Sequence, residues 1–535
     1  MGASLQPEHA LAQRLRTDLP RVLPDYFQKQ RWFGGKARSI RSTEVVETIP
    51  VPVNQRQGVL VLTDVQYADA QGERYAVPLI LAGKAPFRAP ESAPRLQLAP
   101  DTGRDATVCY DALWDEEFCR SLLGTIHDGR RLRGLKGELV GAPTRVLHDF
   151  PTAADQLAPS LMKAQQSNTS IRFGDSLILK SFRRLEEGTN PDLEIGEFLT
   201  ESAKFEHTAP VAGALEYRQP PAPPVTLGIL QAFVPNRGDA WCYTLDCLAG
   251  FFERVTSAGP PVPAVSNSSS RRVGSEPARF IGDYWRAAGL LGRRTAELHV
   301  ALASGSQNPN FRPEPYSAAF QRAQYDSMRR LAIYALATLE RRMPTLSPSV
   351  RSNAQAVLSR GDQILSKFKI LAERAFTGSL IRIHGDFHLG QVLHTGTDFV
   401  IIDFEGEPAR SLSERRAKRC PLQDVAGMLR SFHYATFAAV AQRSRDAPPS
   451  VDEAAKLAPW ARYWQMWVTS RFLSKYRAAA APARFLPRTT REFALLLDLH
   501  LLEKAVYELG YELNNRPGWV SLPLQGILDL LNAPG

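Results

Sequence analysis

The sequence predicts an α+β protein in which a strand-rich part precedes a mainly helical part. Short apolar runs bounded by turn residues dominate residues 58–234, and helical periodicity dominates from about residue 280 to the end. A strand-rich island at 379–403 interrupts the helical part. The chain has 535 residues, of which 44% are apolar and 22% charged, so it is long enough for several domains with sizeable cores.

Residues 1–105 are predicted to form an N-terminal cap of mixed or β-rich structure. Residues 58–67 and 75–81 have the composition of two strands, and the turn residues between them favour a hairpin. Residues 86–103 are rich in proline and polar side chains, which is typical of a domain boundary.

Residues 106–235 are predicted to form an intermediate subdomain, which would be the nucleotide-binding lobe. A helix is expected at 110–127, and a second helix is expected to begin at Pro191 with Asn190 as its N-cap. Four apolar runs are predicted to be strands: 161–166, 170–173, 177–182 and 227–234.

Residues 236–535 are predicted to form a helical C-terminal lobe that contains the island. Within it, residues 256–278 are rich in proline and serine and are predicted to be a flexible insertion.

The composition argues against several classes of function. The net charge is +10, but the basic clusters are short and are not interleaved with aromatic residues, so nucleic acid is not expected as a partner. No apolar run approaches the roughly 18 residues of a membrane span and no signal peptide is evident, so a soluble cytoplasmic protein is expected, with no membrane partner. The five cysteines fit no zinc spacing and are expected to be reduced thiols.

The island IRIHGDFHLGQVLHTGTDFVIIDFEGEP has the residues that phosphoryl transfer requires. Asp386 follows a predicted strand at 381–383 in a tight loop, Gln391 comes five residues later, and Asp403 ends the second strand of a predicted hairpin. Such a reaction needs a carboxylate to accept the hydroxyl proton and oxygen ligands to hold Mg²⁺ on the phosphates of ATP. We therefore predict Asp386 as the base and Gln391 and Asp403 as magnesium ligands. The alternative, turn residues that cap short strands, does not explain a buried-looking strand that ends in Asp-Phe-Glu.

The same chemistry requires a lysine upstream and an acidic residue that holds it. Lys180 lies in the predicted strand 177–182, and the helix that opens at Pro191 carries Glu194 and Glu197. Glu194 is the preferred partner, and the choice between the two glutamates stays open. The alternative for Lys180 is a solvated residue on a sheet edge.

The hairpin before Lys180 is expected to cover the phosphates with hydroxyl, amide and backbone N–H groups, although such a run is often only a turn. The run 230–234 would then connect the lobes and meet adenine. The residues predicted to contact the nucleotide are Ser167, Asn168, Thr169, Ser170, Lys180, Glu194, Gln231, Phe233 and Val234.

The segments HGDFHLGQVL and VIIDFEGEP, with the upstream QSNTSIRFG, NPDLEI and QRWFGGK, resemble the actinobacterial-type maltokinases. These are relatives of the aminoglycoside phosphotransferases and of protein kinases. The resemblance covers most of the chain and implies a bilobal protein-kinase-like fold with an N-terminal cap. It also implies ATP- and Mg²⁺-dependent phosphorylation of maltose at C1, which yields maltose 1-phosphate for α-glucan (glycogen) synthesis. A trehalose-converting enzyme is a possible partner.

The resemblance refines the roles of residues in and beyond the island. Gln391 stands where most of the superfamily has Asn, and Glu405 stands where protein kinases have Gly; both agree with maltokinases and make Glu405 a candidate third metal ligand. In this fold, Asp424 is expected to hold the backbone of the catalytic loop. His384, which opens the loop, is expected to be structural as well.

Residues 502–511 are predicted to contribute the acceptor site, because their polar and aromatic side chains recur on one helical face. Ordinary packing is the alternative, and a similar KAxYExxYExxNRP segment in maltokinases favours the site. His388 could equally contact the acceptor or stabilise the loop. The residues predicted to bind the sugar are His388, Lys504, Tyr507, Glu508, Tyr511 and Arg516.

Three other functions remain open. A kinase for another sugar, such as glucosamine, would share the island. An aminoglycoside kinase is disfavoured, because the helical lobe lacks the acidic rim expected for a polycationic drug. An inactive nucleotide-binding module that regulates a partner is disfavoured by the intact Lys180, Asp386, Gln391 and Asp403.

Overall fold

The structure is a computed structural model that describes residues 5–54, 56–68, 72–81, 92–98, 107–150, 157–162, 168–256, 276–442 and 451–533. Ser167 and most of the predicted insertion at 256–278 lie outside the described residues. The chain divides into two compact units: Met1–Glu201 with Ala209–Pro235, and Ser202–Thr208 with Asn236–Gly535.

The described residues of the first unit form two antiparallel sheets and four α-helices. Its strands are β1 (Ile40–Val53), β2 (Arg56–Tyr67), β3 (Glu73–Leu81), β4 (Arg95–Leu98), β5 (Thr107–Asp111), β6 (Arg131–Arg133), β7 (Glu138–Pro143), β8 (Pro159–Leu161), β9 (Asn168–Phe173), β10 (Leu177–Phe182), β11 (Arg184–Leu185), β12 (Val211–Arg218) and β13 (Val225–Ala232). Its helices are α1 (Leu5–Lys29), α2 (Glu116–His127), α3 (Arg145–His148) and α4 (Pro191–Glu197).

The first sheet has the strand order β1-β2-β3-β5-β4, with β11 paired to β3. Pro50 and Pro52 lie in β1, where they are tolerated because β1 is an edge strand. Buried side chains of α1, including Leu15, Leu19 and Phe27, pack with apolar residues of this sheet in one core. β2 and β3 are buried over six and seven consecutive residues, because alternate side chains of each strand enter two different apolar cores.

The second sheet has the strand order β6-β7-β12-β13-β10-β9-β8. β9 alternates strictly between buried and half-buried residues, whereas β13, which lies in the middle of the sheet, is buried over six consecutive residues. One apolar core joins residues of both sheets with α2, so the two sheets share their interior.

The second unit is mainly helical. Its helices are α5 (Ala240–Thr256), α6 (Glu276–Ile281), α7 (Tyr284–Leu302), α8 (Ala318–Arg342), α9 (Pro348–Leu358), α10 (Gly361–Glu373), α11 (Leu412–Arg416), α12 (Leu422–Gln442), α13 (Val451–Ala480), α14 (Thr490–Asn515) and α15 (Ser521–Asn532). Its described strands form two-stranded sheets. β14 (Glu314–Pro315) pairs with β15 (Ser379–Leu380), and β16 (Val392–His394) forms a hairpin with β17 (Phe399–Ile401).

Several local predictions differ from the structure. The helix expected at 110–127 begins only at Glu116, because the Asp115 carboxylate accepts the N–H of Phe118 at 3.0 Å as an N-cap and the preceding residues form β5. The first sheet therefore extends beyond residue 105, where the cap was expected to end. The strand expected at 381–383 is reduced to a single bridge between Ile381 and Arg419.

Other predictions are confirmed. The helix that opens at Pro191 with Asn190 as N-cap is α4, and the hairpin in the island is β16–β17. Among the described helices, none combines the length and the apolar character needed to cross a lipid bilayer.

Candidate active site

The loop that carries Asp386 is fixed by a buried carboxylate at the start of α12. Asp424 accepts the backbone N–H of His384 at 2.8 Å and that of Gly385 at 2.9 Å, and His299 contacts it at 3.1 Å. Burial alone would raise the pKa of Asp424, but the hydrogen bond and charge of His299 outweigh it and lower the pKa. Asp424 therefore stays ionised and holds the loop just before Asp386.

His384 connects the loop to the strand that precedes Asp403. Its Nε2–H donates to the carbonyl of Ile402 at 3.0 Å, and its Nδ1 lies 3.4 Å from the N–H of Asp386. The imidazole is 1% exposed and lies between the rings of Phe387 and Phe404. One buried side chain thus fixes the relative position of the segments that carry the two aspartates.

Gln391 and Asp403 flank the open end of the β16–β17 hairpin. Val392 pairs with Ile401, and the next N–H, that of Ile402, donates to the carbonyl of Gln391 at 3.0 Å. Asp403 adopts φ = 68°, the left-handed conformation that costs a non-glycine residue free energy and is concentrated at functional sites. The fold imposes this conformation on a residue that was predicted to bind a metal.

The donor set fits magnesium. Gln391 offers an amide oxygen, and Asp403 and Glu405 offer carboxylates, which are the hard oxygen ligands that Mg²⁺ prefers. The chain after Glu405 is held by Arg415, whose guanidinium donates to the Glu405 carbonyl at 3.0 Å.

Two basic side chains lie near the carboxylate of Asp386. Lys504 Nζ is 3.8 Å from Oδ1, and His388 Nε2 is 3.9 Å from Oδ2. The Asp386 side chain is 22% exposed, so it remains accessible to an acceptor.

His388 also has a structural task in the loop. Its Nδ1 accepts the N–H of Gly390 at 3.0 Å and caps the short 3₁₀ turn that leads to Gln391. A Cβ at Gly390 would lie 2.9 Å from the imidazole, so this approach requires glycine. Burial lowers the pKa of His388, although Asp386 opposes the effect, which favours a neutral ring with its Nε2–H towards Asp386.

Lys504, Tyr507 and Glu407 form a connected group next to Asp386. Lys504 Nζ lies 3.7 Å from a Glu407 oxygen, and the Tyr507 hydroxyl donates to the other oxygen at 2.6 Å. The sequence predicted Lys504 and Tyr507 but missed Glu407, which lies only two residues after Glu405. Tyr511, the other tyrosine predicted to bind the sugar, is 45% exposed.

The other two predicted sugar contacts, Glu508 on α14 and Arg516 at its C-terminal end, form ion pairs with other residues. Glu508 accepts two hydrogen bonds from Arg430 of α12 at 2.8 and 2.6 Å, and both side chains are buried. Arg516 pairs with Glu512 at 2.6 Å and lies over the ring of Trp519. Glu508 and Arg516 thus each take part in an ion pair, and their contact with the sugar stays a prediction.

In the first unit, Lys180 lies in β10 between β9 and β13. Its Nζ donates to Asp192 Oδ2 at 3.0 Å, and the Asp192 side chain is 1% exposed. Asp192 is fixed at the first turn of α4, where Asn190 accepts its N–H at 2.8 Å. Asp192 was missed by the sequence analysis, which considered only the two glutamates further along this helix.

Glu197, the second glutamate considered as a partner of Lys180, lies in an acidic environment. Burial raises its pKa to about 7, and the neighbouring carboxylates of Glu216, Glu201 and Glu194 add to the shift. Such surroundings argue against a lysine partner for Glu197.

The predicted phosphate-contacting residues alternate along β9. Thr169 is fully buried, and its hydroxyl accepts from Arg183 at 2.9 Å, so this side chain belongs to the interior of the unit and not to a nucleotide site. Ser170 pairs in register with Lys180, and directly opposite residues lie on the same face of a sheet. Asn168, two residues before Ser170, shares that face.

The predicted connector begins inside β13. Gln231 pairs with Ile178, and the strand ends at Ala232. The N–H of Phe233 donates to the carbonyl of Ser176 at 2.8 Å, and the Arg172 guanidinium lies 4.2 Å from the centre of the Phe233 ring. Val234 follows beyond the end of the strand. Gln231 therefore lies within β13, and Phe233 and Val234 lie directly after it. β13 is the neighbour of β10, which carries Lys180.

Comparison with known proteins gives two kinds of relative. The maltokinase N-terminal cap domain family matches residues 26–115. A glucosamine kinase of Streptacidiphilus jiangxiensis is 24% identical over 431 residues, which is 78% of this chain and 86% of the relative. A glucosamine kinase of Mycolicibacterium smegmatis is 26% identical over 372 residues, which is 69% of this chain and 78% of the relative.

Solved structures of glucosamine kinase share the fold. One, in complex with glucosamine, ADP and inorganic phosphate, matches with a TM-score of 0.60 at 20% identity and covers 95% of this chain and 98% of that chain. A second, crystal form B, matches with a TM-score of 0.62 at 20% identity, covering 94% and 97%. The predicted α+β kinase-like fold with an N-terminal cap is confirmed.

Proposed function

We propose that this chain is an ATP-dependent sugar kinase. Its cap-domain match and its relatives support the proposal, because they are consistent with the maltokinase and glucosamine kinase family of kinase-like proteins. We further propose that its acceptor is maltose and that the C1 hydroxyl is phosphorylated. The observation that carries the choice of acceptor is the position of Lys504, whose ammonium group lies 3.8 Å from Asp386.

Asp386 is the proposed base. The acceptor hydroxyl gives its proton to the carboxylate while its oxygen attacks the γ-phosphorus of ATP, and the bond from that phosphorus to the β-γ bridging oxygen of ATP breaks. Asp424 and His384 hold the loop in one conformation, so the carboxylate is oriented before the sugar arrives.

Phosphate recognition is proposed to depend on a lysine and on metal ligands. Lys180, held by Asp192, supplies a fixed positive charge for the ATP phosphates. Gln391, Asp403 and Glu405 would hold Mg²⁺, which when bound neutralises charge on the phosphates.

The surroundings of Asp386 favour a neutral acceptor. A hydroxyl bonded to Asp386 brings the neighbouring groups of its sugar within a few ångströms of Lys504. Two positive charges 4 Å apart near a protein surface repel by about 4 kcal/mol, so an ammonium group next to the reacting hydroxyl is disfavoured. A neutral sugar can instead accept a hydrogen bond from Lys504 and donate one to Glu407.

Glucosamine is the second candidate acceptor. The relatives that cover most of the chain are glucosamine kinases, and the carboxylate of Glu407 offers a partner for an ammonium group. The two candidates therefore differ in which charged side chain, Lys504 or Glu407, dominates recognition.

A substrate panel tests the proposal. Transfer of phosphate from ATP would be measured in the presence of Mg²⁺ with maltose, glucosamine, glucose, trehalose and an aminoglycoside. We expect maltose to have the highest kcat/KM and Asp386→Asn to lower its kcat by roughly 10²–10⁴-fold with ATP binding retained. Turnover of glucosamine without turnover of maltose would contradict the choice of acceptor, and an unimpaired Asp386→Asn variant would contradict the mechanism.

A further inference from the structure

A cavity of about 1180 Å³ lies in the first unit. Residues of α1, β1, β2, α2 and β6 line it, and none of the residues proposed for phosphoryl transfer is among them. Its volume slightly exceeds the range of about 300–1,000 Å³ that is usual for small-molecule sites.

One part of the cavity is aliphatic. Leu11 and Leu15 of α1 and Val51, Val53 and Val59 of the β1–β2 hairpin are among the lining residues. Within the part of the chain that the structure describes, no Phe, Tyr or Trp side chain lines the cavity, although His127 does. Sites for sugar or adenine rings commonly contain aromatic side chains, so this lining favours an aliphatic ligand over a second sugar or nucleotide.

Gly124 shows how far the cavity reaches into α2. A glycine inside a helix costs roughly 1 kcal/mol relative to alanine, so it usually has a packing reason. Here a Cβ at Gly124 would meet nothing within 4 Å, which removes close helix packing as the reason. The open space above Gly124 belongs to the cavity, since the residue is part of its lining.

The other part of the cavity is basic. Four arginines line it, against two acidic residues, Glu117 and Asp128. The arginines are Arg56, Arg120, Arg130 and Arg133.

Three of these arginines have acidic partners, and Arg133 differs from them. Arg56 pairs with Glu117 at 2.5 Å, Arg120 pairs with Glu116 at 3.1 Å, and Arg130 pairs with Asp128. The Arg133 side chain is exposed on β6 and makes no hydrogen bond or ion pair with any described residue.

We propose that this cavity binds an amphipathic anion with an aliphatic chain, of the class of a monomeric long-chain carboxylate. The chain lies along the aliphatic side chains and in the space above Gly124, and the carboxylate pairs with Arg133. This site is independent of the proposed kinase activity, because it shares no residue with it.

Calorimetric titration of the full chain with octanoate, decanoate and dodecanoate below their aggregation concentrations tests the proposal. Each buried methylene contributes about 0.8 kcal/mol, so affinity should rise by up to about fifteenfold for every two methylenes. Dodecylammonium and inorganic phosphate serve as comparison ligands, and neither should bind as tightly as dodecanoate. Equal binding of dodecylammonium or of phosphate alone would overturn the proposal, as would binding only to vesicles of anionic lipid.

Two variants locate the site. Gly124→Leu fills the cavity and improves helix propensity, so we expect loss of dodecanoate binding with no fall in Tm. Arg133→Ala should weaken binding by about fivefold, the upper range for an exposed ion pair. Arg131→Ala removes the same charge from β6 outside the cavity lining and should leave binding unchanged. Unaltered binding in a folded Gly124→Leu variant would place the ligand elsewhere.

Discussion

The two lysines proposed to serve phosphoryl transfer are held in different ways. Lys180 lies on the interior strand β10 and donates directly to the carboxylate of Asp192 at 3.0 Å. Lys504 lies on α14 between two carboxylates, those of Asp386 and Glu407, at 3.8 and 3.7 Å. A contact beyond about 3.5 Å is an electrostatic interaction and not a formed hydrogen bond.

Lys180 is thus a charge held in position by a hydrogen bond, whereas Lys504 is a charge that can still bind a ligand. The Lys504 side chain is 29% exposed, against 14% for Lys180. Burial lowers the pKa of Lys504, but the carboxylates of Asp386, Glu407 and Glu508 outweigh burial and raise it. Lys504 therefore stays charged with its hydrogen-bond donors available to an oxygen of the acceptor.

The largest effect is expected at Lys180. Lys180→Met keeps the length of the side chain but removes the charge, and we expect kcat to fall by roughly 10²–10³-fold, as when a preorganised electrostatic group is lost. Steady-state kinetics with ATP as the varied substrate measures the effect. Asp192→Asn should cost less, because it keeps the shape of the partner and leaves Lys180 charged.

Glu194→Gln provides the comparison within α4. If Asp192 is the partner that positions Lys180, Asp192→Asn should impair the enzyme more than Glu194→Gln does. A larger loss in the Glu194 variant would restore Glu194 as the positioning residue and contradict the assignment made from the 3.0 Å contact.

A smaller effect is expected at Lys504. Lys504→Met should lower kcat/KM for maltose by about tenfold, the loss of one charge-assisted hydrogen bond. It should also raise the ratio of glucosamine to maltose turnover, because the repulsion of an ammonium group is removed. Competition between the two sugars in one reaction measures that ratio, and a ratio that falls would show that Lys504 does not select for a neutral acceptor.

The contrast between the lysines also shows how far the sequence determined the site. Asp386, Gln391 and Asp403 were predicted from their spacing along the chain, because a loop and a short hairpin bring near neighbours together. Asp192 was missed, although it lies two residues before Glu194, because the sequence does not report which residue in the first turn of α4 faces β10. Glu407 was missed because its partners on α14 lie about one hundred residues away.

Helical periodicity placed Lys504, Tyr507 and Glu508 close together on α14 but could not assign their partners. Glu508 is neutralised by Arg430 of α12, and this contact depends on how two helices pack. The same limit applies to Thr169, which is buried and accepts a hydrogen bond from Arg183. The local sequence of β9 does not reveal that contact. The α+β class and strands such as β2, β3, β9, β10 and β13 followed from local patterns. Other elements did not, among them α1 and β1, since prolines interrupt both patterns.

A finer test concerns the carboxylate beside Lys504. Tyr507→Phe removes the hydroxyl that donates to Glu407 at 2.6 Å. We expect KM for maltose to rise by up to about fivefold, from a net hydrogen-bond contribution near 1 kcal/mol, with kcat nearly unchanged. An unaltered KM together with a large loss of kcat would indicate that Tyr507 acts in the transition state and not in sugar binding.

The last prediction concerns protonation of Glu197, the carboxylate of α4 that lies in an acidic environment. The pKa of Glu197 is raised from 4.5 to about 7, so the folded protein binds this proton more tightly than the unfolded chain does. The folded state therefore loses stability as pH rises between about 4.5 and 7, by roughly 3 kcal/mol in all. Glu197→Gln should raise Tm at pH 8 and leave it unchanged at pH 4.5, whereas Glu253→Gln, at an exposed position on α5, should alter Tm at neither pH. A lower Tm for Glu197→Gln than for the unaltered protein at pH 8 would show that Glu197, like Asp192, is paired with a neighbouring positive charge.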